Sequence, residues 1–217
     1  AASLENLIYA ALLLTLLLIP LFTALTPALT LFGVSPASPL MVVVYLYGMN
    51  LVRQGHERPM WSPTQTRDTR EDIPAEASGE GPGTGGLWMR FALYAAVVAL
   101  AGWAVARSGH SLAEYTGIKQ TVVGALFTAI ATSLPELITS VAAVRQGSPT
   151  LAVGGIVGGN AFDTLFLAVS DVAYREGSLF HAVTQDAFYL LTLGCMQTAV
   201  LLLGLLSRER RGPGNIG

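Results

Sequence analysis

Two acids, Glu136 and Asp163, sit deep inside long apolar stretches of this 217-residue sequence. A charge in a hydrocarbon core costs roughly 2.5–3.5 kcal/mol even on the lenient insertion scale. An acid kept there therefore faces a cavity or a partner. The run around the first reads Ala129-Ile-Ala-Thr-Ser-Leu-Pro-Glu136. Pro135 has no N–H, and its ring clashes with the carbonyl near Ile130 or Ala131. Carbonyls freed by that break point into a helix bundle. Thr132 and Ser133 add hydroxyls one turn before Glu136. Carbonyls, hydroxyls and carboxylates are hard oxygen donors, the set that suits Ca²⁺ and also Na⁺. A simple helix kink would explain the proline but not the adjacent glutamate.

The second acid ends the run Gly154-Gly-Ile-Val-Gly-Gly-Asn160-Ala-Phe-Asp163. Gly154/Gly158 and Gly155/Gly159 form two overlapping GxxxG pairs, which mark close helix packing. Close approach is expected to bring Asn160 and Asp163 against the Glu136 helix. A phosphate loop is excluded, since no Lys-Ser/Thr follows. A short turn, Gln146-Gly147-Ser148-Pro149, joins the two helices as an antiparallel hairpin. Glu136 lies ten residues before Gln146 and Asp163 thirteen after Thr150. At about 1.5 Å per residue those depths are ~15 Å and ~20 Å. The mismatch is about one turn, so both carboxylates can reach one midplane site.

The elements that must position them are spans of about 20 apolar residues. Six segments qualify, at roughly 6–24, 35–53, 87–107, 120–144, 150–170 and 186–206. The expected fold class is an all-α, polytopic transmembrane helix bundle of about six spans. Hydrophobic residues make up 52% of the chain and charged ones only 12%, against about 25% charged in soluble domains. The charges are also segregated, as lipid requires. Three regions follow: two helices in 1–53, a flexible cytoplasmic loop over 54–86, and four helices in 87–217. The loop reading rests on Ser78-Gly-Glu-Gly-Pro-Gly-Thr-Gly-Gly86 and neighbouring charges, which cannot bury a core. Placing that loop and the Ser207-Arg-Glu-Arg-Arg211 run in the cytoplasm satisfies the positive-inside rule. Trp88, Trp103, Tyr115, Tyr174 and Tyr189 lie near span ends, where an interfacial aromatic belt accounts for them.

Several functions are excluded or demoted. Net charge is −2 and Lys119 is the only lysine, so nucleic acid is not an expected partner. Cys195 is the only cysteine, which rules out an intrachain disulfide and a cysteine metal site; it reads as a small packed hydrophobe. His110 and His181 read as solvated residues of outer loops. An intramembrane hydrolase using Ser133 would need a base, and all three histidines are expected in loops. A non-transporting scaffold is the remaining alternative. Glu5 in place of a basic n-region argues against a signal peptide. Both ends read as truncations of a longer chain.

These residues resemble the membrane region of the sodium/calcium exchangers, within the calcium/cation antiporter superfamily. The family repeat pairs Gly-Thr-Ser-x-Pro-Glu with Gly-Asn-x-x-Gly-Ser-Asn-x-x-Asp/Asn on the next helix. Thr132, Ser133, Pro135 and Glu136 match the first motif, with Ala131 in place of its glycine. Gly154, Gly158, Asn160 and Asp163 match the second, with Gly155 for Asn and Gly159 for Ser. The match covers roughly residues 120–170, and the preceding long loop and Asp163 suggest the second repeat. The resemblance implies half of an inverted-repeat exchanger fold in a cell membrane. It implies Ca²⁺ exchanged for Na⁺, with Glu136 as a primary ligand. Thr132 and Ser133 would add oxygens, Ala129 a carbonyl, and Asp163 would complete the site. Gly159 removes a hydroxyl that the family uses, which leaves H⁺ as an alternative coupling ion. No second Thr-Ser-x-Pro-Glu occurs in residues 1–60. The absent first repeat of the same chain, or a second copy, is therefore the expected partner, along with the lipid bilayer and the transported ions. No cofactor and no enzymatic activity are expected.

Overall fold

The first helix is set by its opening residue. In the computed structural model, which describes residues 3–57 and 84–207, the Ser3 hydroxyl accepts from the Asn6 amide at 3.2 Å. That cap satisfies one of the donors a helix start leaves open. Helix α1 (Leu4–Ala24) follows, then α2 (Ala37–Glu57) and α3 (Thr84–Thr116). A short α4 (Gln120–Val123), a π-helical turn (Gly124–Thr128) and α5 (Ala129–Arg145) run on without a loop between them. Then come α6 (Pro149–Asp163), α7 (Leu165–Ala173), the one-turn α8 (Leu179–Ala182) and α9 (Gln185–Leu206). Among the described residues the one β feature is an isolated bridge between Leu31 and Val34.

Five helical stretches are long and apolar enough to cross a membrane: 4–24, 85–116, 120–145, 149–173 and 185–206. They correspond to five of the six expected spans. The sixth, α2, is as long as α1 but ends in Asn50, Arg53, Gln54, His56 and Glu57, which lower its apolarity. The all-α, polytopic fold expected from the sequence is the fold observed.

The chain divides into two compact units, Ala1–Arg70 with Thr139–Gly217, and Glu71–Ile138. In the first unit α1 is the central post, in contact with α2, α6, α8 and α9. Its Ala10, Leu12, Leu13 and Leu16 bury against Ala37 and Met41 of α2, Val157 and Ala161 of α6, and Phe180 of α8. Small residues let α6 come close. A Cβ on Gly154 would meet Asn6 Oδ1 at 2.9 Å, and one on Gly158 would meet the Tyr9 ring at 3.3 Å. The close packing expected of the GxxxG pairs is realised by Gly154 and Gly158 against α1. The Asn6 amide reinforces the contact by donating to the Thr150 carbonyl at 3.0 Å. At the same end, His56 Nδ1 donates to Glu5 Oε1 at 2.7 Å. Cys195 is buried in α9 as a free thiol, in agreement with its reading as a packed hydrophobe.

In the second unit α3 packs on α4 and on the π turn, with Ala113 and Val123 buried between them. Helix α3 runs nine residues past its expected end at 107. The polar run Arg107-Ser-Gly-His110 reads as a loop, but it holds no proline and Leu112 and Ala113 continue the apolar pattern. The stop comes at Gly117, whose φ of +72° suits glycine.

Three further expectations change. Residues 54–57 form the last turn of α2 and 84–86 the first turn of α3. The remainder of the expected loop, 58–83, lies outside the described residues, as do 208–211 of the C-terminal basic run. None of the histidines is in a loop: His56, His110 and His181 belong to α2, α3 and α8. His181 is not solvated either. Its Nε2–H donates to the Thr26 carbonyl at 2.8 Å, and Nδ1 lies 2.9 Å from the Ser178 hydroxyl.

Gly154→Val should lower the thermal stability of the detergent-solubilised protein by about 1–3 kcal/mol, the usual cost of overpacking. Gly155→Val, where nothing lies within 4 Å, should cost far less. Equal melting shifts for the two variants would refute this account of α1–α6 packing.

Candidate functional site

Pro135 lies inside α5, and the helix continues through it from Ala129 to Arg145. The expected break is therefore local. Proline withholds the one N–H that the Ala131 carbonyl would otherwise accept. The winding departs from α further upstream, in the π turn at Gly124–Thr128. Such turns are rare and occur often at functional sites. Just beyond it, Thr132 Oγ1 stands 3.0 Å from the Thr128 carbonyl and 3.2 Å from the Ala129 carbonyl. Its single proton is shared between them, and its lone pairs remain available to a cation.

Ala129, Thr132, Ser133 and Glu136 occupy positions i, i+3, i+4 and i+7, and so share one face of α5. All four are exposed. The face presents a carboxylate, two hydroxyls and backbone carbonyls, all hard oxygen donors. The same stripe continues toward the N-terminal end through Thr128, Gly124 and Gln120. There a cavity of about 180 Å³ opens between α3 and the π turn, lined by His110, Gln120 and Thr128 among others. His110 Nδ1 lies 3.0 Å from Gln120 Nε2, and His110 Nε2 lies 3.3 Å from Glu114 Oε1. Sequence reasoning missed this extension. The four-residue spacing from Gln120 to Glu136 was the signal that could have found it.

Asn160 and Asp163 are exposed on α6, one turn apart. The Asn160 amide donates to the Ile156 carbonyl of its own helix at 2.8 Å. Its oxygen is then the group it can offer to a cation. Gly155, Gly159 and Asp163 follow at i, i+4 and i+8 along the same side. No atom lies within 4 Å of a Cβ built on Gly155 or Gly159. The glycines that seat α6 on α1 are thus a different pair from those flanking the carboxylate. Thr164, directly after Asp163, separates α6 from α7; its hydroxyl donates to the Ala161 carbonyl at 2.7 Å.

The six expected site residues therefore form two oxygen-bearing faces. Ala129, Thr132, Ser133 and Glu136 belong to one unit, and Asn160 and Asp163 to the other. Among the described residues no group of three His, Cys, Asp or Glu side chains could hold a metal ion.

A family model described as sodium/calcium exchanger protein matches residues 86–213. The chain is similar to inner membrane protein YrbG of Escherichia coli (strain K12), 32% identical over 128 residues, or 59% of this chain and 37% of that protein. It is similar to sodium/calcium exchanger MaX1 of Methanosarcina acetivorans, 42% identical over 73 residues, or 31% of this chain and 21% of that protein. Sodium/potassium/calcium exchanger 1 of Gallus gallus is 35% identical over 86 residues, 34% of this chain and 13% of that protein. The chain thus covers 37% or less of the length of each of these relatives. No solved structure matches it. Together with the five apolar helices, these likenesses make it an integral, multi-pass membrane protein.

Thr132→Val keeps the side-chain shape and removes the hydroxyl. It is expected to weaken Ca²⁺ binding to the purified full-length protein by roughly three- to tenfold, the scale of one lost hydroxyl contact. Helix content by circular dichroism should not change. Unaltered binding in a titration would remove Thr132 from the ligand set.

Proposed function

The chain belongs to the sodium/calcium exchanger family, and from that premise we propose that it forms part of a secondary antiporter exchanging Ca²⁺ for Na⁺ by alternating access. The observation that carries the reading is the face of α5. It places Ala129, Thr132, Ser133 and Glu136 together, inside the matched region, with the Pro135 irregularity supplying a carbonyl that lacks its helical donor. Glu136 supplies the charge that attracts the cation. Thr132, Ser133 and the Ala129 carbonyl replace part of its water shell. Asp163 and Asn160 bring a second carboxylate and an amide oxygen from α6.

These donors suit both ions because each takes hard oxygen ligands. Exchange follows if Ca²⁺ and Na⁺ compete for one set of oxygens. A Ca²⁺ shell takes roughly six to eight oxygens, more than one repeat offers. The first repeat of the same protein, or a second copy, would complete the shell, as inverted repeats do around a midplane site. Residues 58–83 and the C-terminal Arg208–Arg211 run would lie in the cytoplasm of a cell membrane, following the positive-inside rule. Within the first unit the helix ends agree in parity with this arrangement. The Asn6–Thr150 and His56–Glu5 contacts join ends assigned to the cytoplasmic side. The His181–Thr26 contact joins ends assigned to the opposite side. The family is one of exchangers, and Ser133 is read as an ion ligand and not as a nucleophile.

A second reading, exchange of a cation for H⁺, is favoured by Gly159, which carries no hydroxyl on the Asp163 side of α6. The two readings separate in one assay. Vesicles containing the full-length protein should take up Ca²⁺ when an outward Na⁺ gradient is imposed, and Glu136→Gln should reduce uptake to the protein-free background. Unchanged uptake in that variant would defeat the site assignment. Uptake driven by a pH gradient and indifferent to Na⁺ would select the proton reading. Gly159→Ser should then raise the dependence on Na⁺, and no change would show that this position does not set the coupling ion.

A further inference from the structure

Asp171 is fully buried, and both of its oxygens are engaged. Oδ2 accepts from the Ser35 amide at 2.8 Å and from the Ser38 hydroxyl at 2.6 Å. Oδ1 accepts from the Leu179 amide at 2.9 Å. Ser35 and Ser38 are buried with it, at the start of α2. None of the ion pairs found among the described residues involves Asp171. Its charge is met instead by hydrogen bonds and by the positive end of the 21-residue α2. A buried carboxylate held this way fastens three elements at once: the end of α7, the start of α2 and the entry to α8.

Helix α7 is a short rod with two distinct ends. At one end Thr164, with helical dihedrals and its N–H bonded to the Asn160 carbonyl, joins α7 to α6 directly after Asp163. At the other stands Asp171, eight residues on, or about 12 Å along a helix. A rod that continues the helix carrying a ligand carboxylate, and is clamped at its far end, sets the direction in which that carboxylate points. We propose that Asp171 is a positioning residue: by clamping α7 to the start of α2, it holds Asp163 in its ion-binding orientation. This rests on the exchanger reading above, which makes Asp163 a ligand. Asp171 itself touches no transported ion.

Asparagine is nearly isosteric with aspartate but turns one acceptor into a donor. In Asp171→Asn the new NH₂ must face either the Leu179 N–H or the Ser35 N–H, and that N–H loses its acceptor. Ser38→Ala is milder, because the carboxylate keeps both backbone donors. Loosening the clamp lowers the fraction of protein in the binding-competent arrangement, and apparent affinity falls by that fraction.

The test is Na⁺-driven Ca²⁺ uptake into vesicles containing the full-length protein. Half-saturating Ca²⁺ and maximal rate are measured separately, and the amount of folded protein is read by gel filtration. Asp171→Asn is expected to raise half-saturating Ca²⁺ on the order of tenfold and Ser38→Ala about two- to threefold. Ser38→Ala decides the matter if Asp171→Asn does not fold. Normal half-saturation in the folded variants, with only their yield reduced, would overturn the proposal and leave the exchanger reading intact. Absence of uptake by the unaltered protein would overturn both.

Discussion

Helices in lipid gain little from burying apolar surface against one another, because acyl chains are as apolar as leucine. Close packing and internal hydrogen bonds must hold them. In the first unit that requirement is met along one line of contact, where Gly154 and Gly158 let α6 approach Asn6 and Tyr9 of α1. Leucines and alanines of α1 then reach α2, α6 and α8 together. Because 154 and 158 turn toward α1, the stripe of Gly155, Gly159 and Asp163 turns elsewhere. The seating of one helix thus determines which of its faces stays open.

The chain keeps carboxylates within or at the edge of its apolar helices in two ways. Asp171 is saturated by donors from its own fold, is fully buried, and serves as a fastening. Glu136 stands on an exposed face of α5, with the Thr132 and Ser133 hydroxyls about one turn before it. The two acids thus differ in enclosure: Asp171 is buried within its own fold, and Glu136 is open on the surface of its helix.

Much of this was legible in the residues. Apolar runs gave the helices because lipid permits little else, and the spacing of 129, 132, 133 and 136 placed the donors on one face whatever the tertiary packing. The partner of each glycine pair was not legible. A GxxxG motif states that something comes close without saying what, and Gly154/Gly158 met α1. Asp171 is hard to single out because an acid just past an apolar run looks like an ordinary boundary residue, and two of its three donors lie 136 and 133 residues away in sequence. The end of α3 is hard to read because polar side chains between 107 and 111 resemble a turn, whereas Gly117 carries the stop. Pro135 reads as a break, yet the helix absorbs it and the irregular winding lies at 124–128.

That irregular winding has a consequence for spacing. Five residues between Gly124 and Thr128 occupy a turn that ordinarily holds fewer. The chain there behaves as if one residue had been spliced into a regular helix. Each residue of an α-helix advances about 100°, so the inserted one sets the rotary phase of everything after it. Glu136 faces where it does partly because of a surplus residue two turns away. In such a segment length itself is the conserved quantity to look for: side chains can be exchanged, but a deletion would swing the whole oxygen-bearing face off its axis.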